Sequence, residues 1–93
     1  MMDRHYYDEL DLLIRQLLDS LPFLSNSQAS EIRSYLDVDE YGLALETAYH
    51  IILVGWQKIS PYSYRMFCQL SDKMQLGSID LDALSAKVLE EPT

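Results

Sequence analysis

The chain has a single cysteine, three glycines, three prolines and two histidines among its 93 residues, and only seven Lys and Arg against fifteen Asp and Glu. Each shortage excludes something. One cysteine, Cys68, rules out an internal disulfide and fits a reducing, cytoplasmic setting, where it reads as a small buried hydrophobe. So few glycines leave no Gly-rich phosphate loop, and no nucleophile elbow is present. Scarce bases and a net charge of −8 argue against nucleic acid and against anionic membrane surfaces, because phosphate contacts need clustered Lys and Arg. No apolar run approaches the ~18 residues of a membrane span. Met1-Met2-Asp3-Arg4-His5 leads into charged sequence and does not resemble a signal peptide.

What remains is a globular composition, 48% hydrophobic. A chain this short makes one domain, residues 1–93, with one core and little room for an enclosed cavity. The periodicity predicts an all-α bundle of about five helices around a central one. Residues 5–20 place Leu10, Leu13, Ile14, Leu17, Leu18 and Leu21 on one face. The opposite face carries Arg4/Asp8, Asp11/Arg15 and Arg15/Asp19 at four-residue spacing, a balanced solvated surface. Pro22 ends that helix. Ser25 with Gln28 has the form of a capping box for a short second helix that buries Ala29, Ile32 and Leu36. Asp37 with Glu40 repeats the pattern before the central helix.

The central helix is expected over about residues 39–57. From Ala48 to Trp56 only His50 is strongly polar. On a helical wheel Asp39, Glu46, His50 and Gln57 form a narrow seam, while Tyr41, Ala44, Leu45, Ala48, Ile51, Ile52 and Trp56 take the far side. That apolar arc, roughly 200° wide, suits a helix surrounded by neighbours. A buried strand over residues 49–54 is the competing reading, since four of the six are β-branched or aromatic; the unbroken period of Leu43-Ala44-Leu45-Glu46 favours helix. Ser60-Pro61 then starts a helix with Met66, Phe67, Leu70 and Met74 inward. Gly77 is the expected left-handed stop. Ser78 or Asp80 caps a last helix with Leu81, Leu84 and Val88 inward, and residues 90–93 form a tail.

Neither metal nor catalytic chemistry has a convincing pattern, and no cofactor is expected. Asp37-Val38-Asp39-Glu40-Tyr41-Gly42 begins like a calcium loop, but Tyr41 stands at position five and Ala48 at position twelve, where ligands are required. His5 and His50 lack partners at ligand spacing. A Cys68–His50 couple is disfavoured because periodicity already explains both residues. Charge is the feature with content. Residues 34–57 hold Asp37, Asp39, Glu40 and Glu46 with no Lys or Arg. Leu43 and Val54 interrupt this seam, and Tyr41 and Tyr49 lie beside or beneath it. Acid with tyrosine and isolated aliphatics is the make-up of a surface for a basic partner.

At these residues, Ser25-Asn26-Ser27-Gln28, Glu31-Ile32 and above all Glu40-Tyr41-Gly42-Leu43-Ala44-Leu45-Glu46, the chain resembles the MafI family of bacterial immunity proteins, and it is similar to contact-dependent growth inhibition (CdiI-type) immunity proteins. The likeness spans about residues 21–76. It implies a cytoplasmic protein without chemistry of its own that binds a cognate toxin C-terminal domain, basic and nuclease-like, and occludes its active site. Asp37, Asp39, Glu40 and Glu46 would make the block, with Tyr41 and His50 lining or supporting it. Tyr62, Tyr64 and Arg65 are the runner-up surface, for binding away from the active site. A monomer is expected, with a homodimer left open. A reading from another class is a small helical interaction domain that docks an amphipathic partner helix in an apolar groove.

Overall fold

Three short polar side chains start three of the helices. Ser25 Oγ accepts the Gln28 N–H at 3.1 Å while Gln28 Oε1 accepts the Ser25 N–H at 2.9 Å, closing the capping box. Ser60 Oγ accepts from Ser63 N–H, with Pro61 in the first turn, and Asp80 Oδ1 accepts from Ala83 N–H. Each satisfies a donor that the first turn leaves without an intrahelical partner. The computed structural model describes residues 4–89, with side chains from His5 onward. The expected Arg4/Asp8 pair and the tail at 90–93 lie outside the described residues.

The architecture is all-α. The helices are α1 (Arg4–Asp19), α2 (Asn26–Asp37), α3 (Tyr41–Val54), α4 (Pro61–Met74) and α5 (Leu81–Ser85). The segment 49–54 is helix, which disposes of the strand alternative. Helix α3 packs on α1, α2 and α5, and α4 packs on α1 and α5. The central helix is thus where its wide apolar arc predicts it. It buries Tyr41, Ala44, Leu45, Ala48, Tyr49 and Ile52. Around it gather Leu10, Ile14, Leu17, Leu18 and Leu21 from α1 and its exit, Ile32 and Leu36 from α2, Met66, Phe67 and Leu70 from α4, and Leu84 from α5. Ala29 is only half-buried.

Several expected boundaries move. The central helix is shorter than 39–57, because Asp39 sits at φ 60°, in the left-handed region, and Gly55 is extended. Asp37 still belongs to α2, so it cannot cap the next helix. Glu40 is the N-cap of α3 and makes no side-chain cap bond. The left-handed stop of α4 is Gln75, at φ 52°, and not Gly77. Leu76 N–H bonds to Ser71 carbonyl and Gln75 N–H to Asp72 carbonyl, a Schellman ending. Ser71 Oγ, donating to the Leu76 carbonyl at 3.1 Å, ties the turn down further. That register sets the turn two residues before the glycine.

Beyond α5 the chain folds back on the α3–α4 connection. Ile59 N–H donates to Lys87 carbonyl and Leu89 N–H to Ile59 carbonyl, a one-residue parallel bridge between Ile59 and Val88. Lys87 Nζ donates to the Gly55 carbonyl at 2.7 Å and Lys58 Nζ to the Ala86 carbonyl at 3.3 Å. The ends of α1 and α4 meet through hydroxyls: Ser63 Oγ lies 2.7 Å from Ser20 Oγ and 3.0 Å from Ser60 Oγ. Among the described residues no buried side-chain polar atom lacks a partner.

A left-handed residue with a side chain costs about 1–2 kcal/mol. Gln75→Gly is therefore expected to raise stability by about 1 kcal/mol after the extra freedom glycine adds to the unfolded chain. Gly77→Ala adds a methyl that meets nothing within 4 Å and is expected to stay within about 0.5 kcal/mol of the parent. Thermal melting followed by circular dichroism separates the two positions. Phe67, fully buried, supplies the scale: Phe67→Ala should cost about 3–5 kcal/mol.

Candidate functional site

Burial of the broad side of α3 leaves one seam facing outward. Residues three, four, seven and eleven apart share a helix face, and Leu43, Glu46, Thr47, His50 and Val54 follow that spacing. Leu43 is 45% exposed and Val54 86%; His50 is exposed, and Glu46 and Thr47 are half-buried. The turn entering the helix adds Asp39 and Glu40, both exposed, and Val38. With a 1.5 Å rise per residue, Glu46 and His50 stand about 9 and 15 Å along the axis from Glu40. Asp39, Glu40 and Glu46 thus share one elongated surface with three exposed aliphatics.

The six residues singled out from the sequence do not behave alike. Asp37 is not an uncompensated charge: its Oδ1 lies 3.6 Å from Arg15 Nη2 of α1. Arg15 also holds Asp11, Nε to Oδ2 at 2.9 Å, and so turns to Asp11 and Asp37 rather than to the expected Asp19. The guanidinium is raised above its usual range, foremost by the Asp11 hydrogen bond, with the charges of Asp11 and Asp37 adding to it against partial burial. Asp39 accepts the Tyr41 hydroxyl at 3.0 Å. Glu40 and Glu46 have no ion pair among the described residues.

Tyr41 does not line the surface. It is buried, and its ring stacks on Tyr7 of α1 with centroids 5.8 Å apart and planes at 20°. The phenol is pushed up to about 12, first by burial, then by the Asp39 hydrogen bond and the negative charges of Asp39, Asp11 and Asp8. Its role is to brace the turn that presents Asp39 and Glu40. Tyr49 is also buried, and its hydroxyl accepts the Asp80 N–H at 3.0 Å, joining α3 to the start of α5. His50, one residue on, faces outward with its ring 5.2 Å from that of Tyr49.

Two residues on this surface were misread from sequence. Trp56, placed on the buried side of an over-long helix, lies beyond the end of α3 and is 94% exposed. The signal for it was Gly55, which ends the helix one residue earlier. Beside it, Phe23, Gln28, Ile51, Val54, Gly55, Trp56 and Gln57 line an open recess of about 280 Å³. Val38, 66% exposed, was passed over as part of a polar turn. Of the runner-up surface, Tyr62 and Arg65 are exposed, but Tyr64 is half-buried. Its hydroxyl reaches the Leu81 carbonyl at 3.4 Å. The Tyr64 phenol is raised foremost by a hydrogen bond with Cys68 on its own helix, and by burial; Cys68 is half-buried.

Among the described residues no group of three or more His, Cys, Asp or Glu is placed to hold a metal ion, and no helix is long and apolar enough to cross a membrane. No protein-family model, no curated protein and no solved structure matches the chain.

The raised Tyr41 phenol has a consequence at high pH. Unfolding returns it to an ordinary value of 10.0, so the unfolded chain loses this proton first. The contribution to stability is whole below pH about 10 and is lost as pH climbs toward about 12. Tyr41→Phe is expected to flatten the fall in stability across that window and to delete one late step from the tyrosinate absorbance titration. An unaltered titration would place the late phenol elsewhere.

Proposed function

We propose that the chain is an immunity protein that binds a cognate bacterial toxin domain, a nuclease and foremost a ribonuclease, and occludes its basic active-site groove. The observation that carries this reading is the outward face of α3 with its entry turn. There Asp39, Glu40 and Glu46 lie on one surface in a segment, 34–57, that contains no Lys or Arg. The resemblance to immunity proteins falls on the same residues. A nuclease groove is basic because it holds phosphates, and a line of carboxylates spaced along a rigid helix can occupy it in their place. Electrostatic steering of that kind raises association toward about 10⁸ M⁻¹s⁻¹ at low salt. The intracellular partner of a toxin needs both speed and tightness, since few uncaptured toxin molecules suffice to kill.

On this reading the acids do not contribute equally. Asp37 is held by Arg15 and Tyr41 is buried, so Glu40 and Glu46 form the centre, with Asp39 and His50 flanking. Reversing Asp39 would strike the left-handed turn and the Tyr41 bond as well as the charge. Glu40→Lys with Glu46→Lys touches neither and is the cleaner test.

If the adjacent upstream gene ends in a small, basic, toxin-like domain, co-expression of this chain in a bacterial host poisoned by that domain should restore growth. The double variant should fold normally yet protect poorly, its affinity by calorimetry reduced by about 100-fold or more. Binding of the parent should weaken clearly as salt rises, whereas docking of an amphipathic helix in an apolar groove would be nearly indifferent to salt. Unchanged affinity of the double variant would sink the assignment of this face.

A further inference from the structure

The acidic seam does not end in acid. Past His50 it runs into Val54 and then Trp56, the only tryptophan of the chain, at 86% and 94% exposure. Most large apolar side chains on the other helices are packed away, so this pair stands out. The segment that presents them is pinned from both sides. Gly55 N–H donates to the Ile51 carbonyl at 3.1 Å, and the Gly55 carbonyl accepts Lys87 Nζ at 2.7 Å. A few residues on, Ile59 is bonded through its N–H to Lys87 and through its carbonyl to Leu89. The indole is therefore mounted on a held stretch of backbone beside the recess formed with Phe23, Ile51 and Val54.

We infer that Val54 and Trp56 form the apolar anchor of the partner-binding face, taking one aliphatic or aromatic side chain that the partner presents between Lys and Arg residues. The occupant follows from charge. Toward the N-terminus of α3 the seam leads from His50 to Glu46 and on to Glu40 and Asp39, with no base in residues 34–57. Lys58, two residues past the indole, and Lys87, which reaches back to Gly55, direct their ammonium groups to the carbonyls of Ala86 and Gly55 respectively. A second copy is disfavoured as the cover, because joining two such faces brings together chains of net charge −8. A rigid aromatic bordered by charge, with a recess at its side, is the usual form of a binding hot spot.

This inference rests on the acidic face being a partner-binding face, and the test separates the two. Tryptophan occurs once, so 5-fluorotryptophan labelling yields one fluorine resonance, from position 56. The labelled protein is titrated at low salt with a short helical peptide of lysine and leucine, and with its counterpart of lysine and alanine. The leucine peptide should shift the resonance and bind about ten-fold or more tighter, the gain from burying one or more leucine side chains. Val54→Ser, on an exposed position, should remove that advantage, and Trp56→Ala should do the same by calorimetry. Equal binding of both peptides would overturn the anchor and leave the acidic face standing. Binding of neither would overturn the anchor, with growth rescue then judging the toxin reading by itself. A resonance that moves with protein concentration alone would overturn it in favour of a second copy.

Discussion

The burial of α3 is the constraint from which the remaining geometry follows. Its inward positions include Ala44 and Ala48, essentially inaccessible to solvent. Such small residues let neighbouring helices approach its axis closely. Leu45 and Ile52 then fill the spaces between, and α1, α2 and α5 occupy three sides. A fully buried aliphatic side chain is worth about 1.5–3 kcal/mol relative to exposure, so rotating α3 by one residue would cost several such terms at once. The rotation of the helix is therefore fixed by packing. With it is fixed the identity of the residues left outside: Leu43, Glu46, His50 and Val54.

Tyrosine does structural work here that composition alone disguises. Seven tyrosines beside many acids suggest a recognition surface, yet five of them tie helices or their turns together, Tyr64 through the Leu81 carbonyl between α4 and α5. Tyr6 hydroxyl donates to the Lys73 carbonyl at 2.9 Å, joining α1 to the end of α4, where Lys73 Nζ also meets Glu9 at 3.1 Å. Tyr7 stacks on Tyr41 between α1 and α3. Tyr49 accepts from Asp80. Each ring contributes apolar area to an interhelical seam, and the hydroxyls of Tyr6, Tyr41 and Tyr49 each meet a polar atom. Tyr41 shows why this matters for the surface: by bonding Asp39 it couples the core to the turn from which the acidic face begins.

Local chemistry was legible in the sequence, and long-range chemistry was not. The caps at Ser25, Ser60 and Asp80 (the last with Ser78 as its alternative) depend on residues within three positions and form, whereas the one expected at Asp37 does not, because that residue still belongs to α2. The central place of α3 was legible because its apolar arc is too wide for a surface helix. By contrast, Gln75 rather than Gly77 ends α4 because Ser71 fastens the turn through Leu76, a choice of register that residue preference alone would not make. Asp37 loses its place among the uncompensated acids through Arg15, 22 positions earlier. Trp56 was misplaced because an apolar residue continues the period of a helix that has already stopped at Gly55. The expected seam thus lies on the outward face of its helix, and the structure changes which residues stand on it at both ends.

The acids of the seam also differ in what already compensates them. Asp39 and Glu40 sit at the amino end of α3, where the helix macrodipole carries about half a positive charge. Part of their charge is accordingly used in stabilising the helix start, and Asp39 is engaged by Tyr41 besides. Glu46 is in the second turn, beyond the reach of the first-turn effect, and has no ion pair among the described residues. It is bordered by Leu43 one turn before and His50 one turn after. Half-buried among its neighbours, it is less screened by water than the acids of the turn, so a cation brought to it gains more per charge. On the proposed reading, a basic partner would meet a graded surface. Dipole-compensated acid stands at one end, the least compensated carboxylate in the middle, and exposed apolar side chains at the other. Such a gradient would fix orientation as well as attraction, since a partner docked in reverse would set its bases against Val54 and Trp56 and its apolar side chain against Asp39 and Glu40.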